Sequence, residues 1–67
     1  MTPGPWKAYD SEVFGVGGEV IARCEDAAMA LAVSAIPDFL EAAELAETDP
    51  ANAIRLLRIS LLKARGA

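Results

Sequence analysis

The sequence predicts a small α+β domain, in which an antiparallel sheet of two or three strands is followed by two or three helices packed on one of its faces. Three observations lead there. Between Trp6 and Cys24, short runs alternate bulky with small or polar residues and are separated by turn signals, as half-buried strands are. Residues 25–47 are rich in alanine, leucine and acidic side chains and contain no glycine. Residues 50–65 begin with a proline, contain no glycine and run into Gly66, as a capped helix does.

The 67 residues are enough for one domain, spanning 1–67, and no more. A core of this size leaves a margin of about 3–5 kcal/mol over conformational entropy. Small domains usually add disulfides, a metal or a partner chain. With one cysteine and no histidine, a disulfide framework and a His-containing metal motif are both ruled out. Tight helix packing or association of copies remains. The lone Cys24 suits a reducing compartment. Met1-Thr2-Pro3-Gly4-Pro5 has neither the basic nor the apolar region of a signal peptide, and no apolar run approaches the ~18 residues of a membrane span. The expectation is a cytoplasmic protein with no membrane contact.

Residues 1–24 read as a β-meander. Thr2-Pro3-Gly4-Pro5 is an extended lead-in, because both prolines lack an N–H and restrict their neighbours. Trp6 to Tyr9 is the first strand, Asp10-Ser11 a two-residue turn, Glu12 to Val16 the second strand. Gly17-Gly18 supplies the positive φ of a tight hairpin turn, and Glu19 to Cys24 closes the sheet. A phosphate-binding loop at Gly15-Val16-Gly17-Gly18 would need a helix directly after it and a nearby lysine; β-type residues follow instead. Trp6 and Tyr9 are assigned to core or sheet-face packing rather than to base stacking.

Residues 25–47 form a helix broken or kinked at Pro37. Glu25 and Asp26 place negative charge at its start. Pro37 either kinks one helix or restarts a second, since its ring collides with the carbonyl four residues back. On a helical wheel Ile36, Phe39, Leu40, Ala43 and Ala46 share the predicted core side, with Asp38 and Glu41 opposite and Glu44 on the flank. Asp49 is the N-cap of the last helix, 50–65, with Pro50 in its first turn. Ile54, Leu57, Leu61 and Ala64 make one apolar stripe of that helix, Leu56 and Ile59 a second, with Leu62 between. Either the sheet packs across both stripes, or a homodimer forms through this C-terminal helix.

The charge of −4 is unevenly spread. Residues 24–54 carry seven carboxylates (Glu25, Asp26, Asp38, Glu41, Glu44, Glu47 and Asp49) and no basic residue, while Arg55, Arg58, Lys63 and Arg65 follow. Binding of nucleic acid by so acidic a surface is not expected, whereas a basic protein partner is electrostatically suited to it. The basic residues support the helix dipole and are placed to pair with Glu41, Glu44 or Glu47. No catalytic, cofactor-binding or metal-ligating residue is assigned: a nucleophilic triad lacks its histidine, and paired carboxylates on an open helix face lack a shielded cleft.

Thr2-Pro3-Gly4-Pro5-Trp6, a short hairpin and the stretch from Ala28 through Pro37-Asp38-Phe39-Leu40-Glu41-Ala42 together resemble a group of small phage and prophage proteins. These begin with a TPGPW motif, carry an alanine-rich stretch of the type ANARLIAAAPELLEAL, and often finish with a helix like that from Ala53 to Gly66. Met29, Leu31 and Ile36 stand where that group commonly carries Asn, Arg and Ala. The resemblance implies a phage setting in a bacterial host cell and brings no catalytic residues. Joined to the acidic block, it gives the leading expectation: a non-enzymatic inhibitor of host defence, such as an anti-CRISPR, whose DNA-mimicking face occupies the basic groove of a host complex such as a CRISPR effector. Glu25, Asp26, Asp38, Glu41, Glu44, Glu47 and Asp49 would carry that contact. The alternatives are an oligomeric sponge for a nucleotide immune signal, using Arg55, Arg58, Lys63 and Arg65, and a regulatory or structural phage protein acting through helix pairing.

Overall fold

The computed structural model describes residues 3–66. Met1, Thr2 and Ala67, which the sequence places at the ends of the domain and, for Thr2, in the TPGPW motif, lie outside the described residues. Three strands, β1 (Lys7–Tyr9), β2 (Glu12–Phe14) and β3 (Val20–Arg23), precede three helices, α1 (Ala27–Ser34), α2 (Ile36–Leu45) and α3 (Pro50–Arg65). The sheet is antiparallel in the order β1-β2-β3, so the fold is α+β as the sequence predicts.

The strand boundaries follow from the turns. Asp10 sits at φ 55°, a left-handed position that Asp tolerates better than most residues, and lets two residues join β1 to β2. The glycine segment is a hairpin turn. The Gly15 N–H donates to the Glu19 carbonyl at 2.9 Å, the Gly18 N–H to the Gly15 carbonyl at 3.0 Å, and Gly18 takes φ 86°. The Gly17 N–H donates to the Glu19 carboxylate at 3.2 Å, so this donor is already used within the turn. The turn is wider than predicted and shortens the second strand, which ends at Phe14 rather than Val16. An irregularity between Val13 and Phe14 then shifts the pairing, so that Val13 faces Ala22 while Phe14 faces Val20.

Ala8, Val13 and Ala22 form a cross-strand row. Val13 is fully buried; with Trp6 and Ala30 of α1 it makes the core, against which Ala8, Ile21, Ala22, Cys24 and Val33 pack. The two alanines beside Val13 leave room for α1 to lie close to the sheet. The other sheet face is open: Glu12 and Arg23 pair directly across the strands at 3.2 Å, and Tyr9 is 77% exposed. Of the two aromatics assigned to core or sheet-face packing, Trp6 lies in the core, while Tyr9 stands on the open sheet face and is not covered. It projects from the face of β1 opposite Ala8, because successive strand residues alternate in direction.

Asp26 is the N-cap of α1, its Oδ1 accepting from the Met29 N–H at 2.7 Å. Of the two outcomes open at Pro37, the chain takes the restart. Ala35 ends α1 and serves as the N-cap position of α2, with Pro37 in the first turn of the new helix. Asp49 caps α3, and Gly66 ends it in the left-handed conformation at φ 79°.

Every buried residue of the three helices and of the α1–α2 junction is alanine or serine: Ala30, Ser34, Ala35, Ala42, Ala53 and Ser60. The two serines satisfy their hydroxyls on their own helices, Ser34 donating to the Leu31 carbonyl at 2.7 Å and Ser60 to the Leu56 carbonyl at 2.8 Å, and so enter the interior without needing a partner elsewhere. Helix α1 meets β1 and β2 as well as α3, and α3 packs on α1 and α2. The layers thus run sheet, α1, α3.

Two sequence expectations are overturned by this arrangement. The inward residue of α2 is Ala42, whereas Ile36, Leu40, Ala43 and Ala46 of the predicted core side are exposed and only Phe39 is half-buried. The sheet does not cover the stripes of α3 either: Ile54, Leu57, Ile59, Leu61 and Leu62 are exposed, with Leu56 half-buried. The wheel assumed that the largest apolar side chains mark the inner face, but helices that approach closely place their smallest residues there.

Two stability outcomes follow. Asp26→Ala is expected to cost about 1 kcal/mol in urea unfolding, while Glu25→Ala, on the exposed neighbour, stays within about 0.5 kcal/mol of the parent. Ala53→Leu, which adds volume to a site with no free surface, is expected to cost about 1–3 kcal/mol by the same measurement.

Candidate functional site

The seven carboxylates of residues 24–54 divide into two groups once their partners are located. Three have structural work. Asp26 caps α1. Asp49 caps α3, with Oδ1 accepting from the Asn52 N–H at 3.3 Å and Oδ2 from the Asn52 side-chain amide. Asp38 Oδ2 accepts from Lys63 Nζ at 2.8 Å in an ion pair whose two side chains are both more than two-thirds buried. Asp38 therefore points toward α3 and not away from the core, which corrects its place on the wheel. Lys63 takes this partner instead of Glu41, Glu44 or Glu47 because Asp38 follows Pro37 in the first turn of α2 and meets the last turn of α3.

The other four, Glu25, Glu41, Glu44 and Glu47, are exposed. Among the described residues, no ion pair or side-chain hydrogen bond engages them. Glu41 and Glu44 lie about one turn apart on α2 and Glu47 follows in the turn after it, so the three spread over about 9 Å of helical rise as an acidic flank. Arg55, Arg58 and Arg65 on α3 are also exposed and make no ion pair among the described residues.

Beside this flank lies a recess of about 310 Å³ lined by Gly4, Pro5, Pro37, Asp38 and Glu41. It exists because the N-terminal segment docks against the helix break. A Cβ placed on Gly4 would come within 2.6 Å of Pro37 Cβ, so only glycine lets the two proline-containing segments approach this closely. Its walls combine proline rings with the Glu41 carboxylate, Asp38 being engaged by Lys63, a lining suited to the aliphatic stem and cationic head of a lysine or arginine side chain. The sequence points to both prolines and both carboxylates separately. What it does not reveal is their meeting, since Gly4 and Pro37 are brought together only by the packing of α1 on the sheet.

Among the described residues, no group of three His, Cys, Asp or Glu side chains is placed to hold a metal ion, and no helix is long and apolar enough to cross a membrane. Cys24 is a free, half-buried thiol beside the core.

The class that the fold and this surface define is a small α+β domain with an open acidic flank. In comparisons with known proteins the chain matches no protein-family model, no curated protein and no solved structure.

The Asp38–Lys63 pair joins the first turn of α2 to the last turn of α3. A double-mutant cycle of Asp38→Asn and Lys63→Met in urea unfolding is expected to return a coupling of up to about 1 kcal/mol, as partly shielded ion pairs do.

Proposed function

We propose that this chain is a non-enzymatic binding protein that occupies a basic surface of a partner with the acidic flank of α2. The observation that carries the reading is the division of the carboxylates: Glu41, Glu44 and Glu47 are exposed and free of intrachain partners, whereas Asp26, Asp38 and Asp49 hold the helices in place. Unpaired like charges in a row repel one another and cost stability, a cost that a cationic partner removes. Glu25 extends the acidic surface from the start of α1, and the recess beside Glu41 receives one cationic side chain of the partner.

The biological setting in this proposal is the one implied by the resemblance to small phage and prophage proteins. The protein acts in the cytoplasm of a bacterial host, where its carboxylates imitate the phosphates of DNA and block a basic groove of a defence complex such as a CRISPR effector. Within that reading the three structural aspartates are removed from the contact set, and Glu25, Glu41, Glu44 and Glu47 carry it.

Capture from a host-cell lysate with the wild-type protein and with E41K/E44K/E47K, both checked for folding by circular dichroism, tests the proposal. The wild type is expected to retain a nucleic-acid-binding complex that duplex DNA competes away. The variant is expected to lose it by about 100-fold or more, because like-charge juxtaposition costs several kcal/mol. Equal retention of the same complex by both proteins would overturn the reading.

A further inference from the structure

We infer that the protein forms a two-fold homodimer in which the stripe Ile54, Leu57, Leu61 and Ala64 of α3, exposed at its three large residues and half-buried at Ala64, packs against the same stripe of a second copy. The stripe has spacings of three, four and three residues, the a/d pattern of a helix-pairing seam. Its three large members are 58%, 38% and 43% exposed in the single chain. Helix α3 is already held by its packing on α1 and α2, so pairing does not have to order it first.

The area argument identifies the occupant. A folded single chain of 7.0 kDa is expected to expose about 4,000 Å², whereas this one exposes 4664 Å². The surplus of roughly 600 Å² approaches the ~800 Å² that each partner contributes to an interface of standard size. The shape agrees with the larger surface: the radius of gyration is 12.1 Å, against about 11 Å for a compact domain of this length. Among the described residues, Trp6 and Val13 are the large apolar side chains that are buried. The missing burial is a property of every folded copy, so its remedy must be present wherever the chain is present. A second copy meets that condition, and a heptad-spaced aliphatic stripe is its own complement about a two-fold axis.

Sedimentation equilibrium over micromolar to millimolar concentrations, on the wild type and on two charged double variants, tests the inference. The wild type is expected at twice the mass of one chain, with a Tm that rises with protein concentration. L57E/L61E and L57K/L61K are each expected to lose the dimer. Their equimolar mixture is expected to recover it, because opposite charges then meet across the seam whether the helices run parallel or antiparallel. A wild type that is folded and monomeric throughout overturns the inference. So does a dimer that persists in L57E/L61E, or a mixture that fails to recover the dimer, since either would place association on another surface. None of these outcomes depends on Glu41, Glu44 or Glu47, so the inference stands or falls separately from the proposed acidic contact.

Discussion

The close approach of α1 to its neighbours is the constraint on which the rest of the structure depends. Helix α1 lies between the sheet and α3, and it can do so because small residues line both contacts. On the sheet side Ala8 and Ala22 flank Val13 opposite Ala30. Across the three helices and the α1–α2 junction the buried positions are likewise small: Ser34, Ala35, Ala42, Ala53 and Ser60. Helix axes approach to about 8 Å only when the side chains between them are this small. The serines are admitted because each donates back to its own helix, leaving no hydroxyl unsatisfied.

That geometry has an energetic consequence. Alanine and serine bury little apolar area, and hydrophobic stabilisation scales with area at about 25 cal/mol per Å². The single chain therefore relies on Trp6 and Val13, on the caps at Asp26 and Asp49, and on the Asp38–Lys63 pair that ties α2 to α3. The large aliphatic residues, displaced from the inside by the close approach, are left on the outer side of α3 and α2. Small residues inside and large aliphatic residues outside are thus two results of the same packing.

The same frame separates charge that builds the fold from charge that is available. A carboxylate at a helix N-terminus satisfies orphan backbone donors, and one that faces a lysine across two helices fixes their register. Neither is free to meet a partner. The acidic flank that remains, Glu41 to Glu47, stands beside a recess made by the docking of Gly4 and Pro5 on Pro37. The proline that breaks the helix is thus also the surface on which the N-terminal segment rests. Its backbone effect and its packing role fall on one residue.

What the sequence by itself determined is local. The turn at Gly17-Gly18, the cap at Asp26, an interruption at Pro37, the start of α3 at Asp49-Pro50 and its stop at Gly66 each depend on backbone chemistry within a few residues, so they are legible in the chain. The tertiary structure alone decided which face of each helix turns inward. A wheel weighs every apolar residue of one helix by size, whereas closeness between helices is a property of pairs and selects the small ones: hence Ala42 inside and Leu40 outside, Ala53 inside and Ile54 outside. For the same reason the sequence counts seven carboxylates but cannot sort them. Asp38 meets Lys63 across 25 positions of chain, and that contact depends on how α2 and α3 pack rather than on any spacing within either helix.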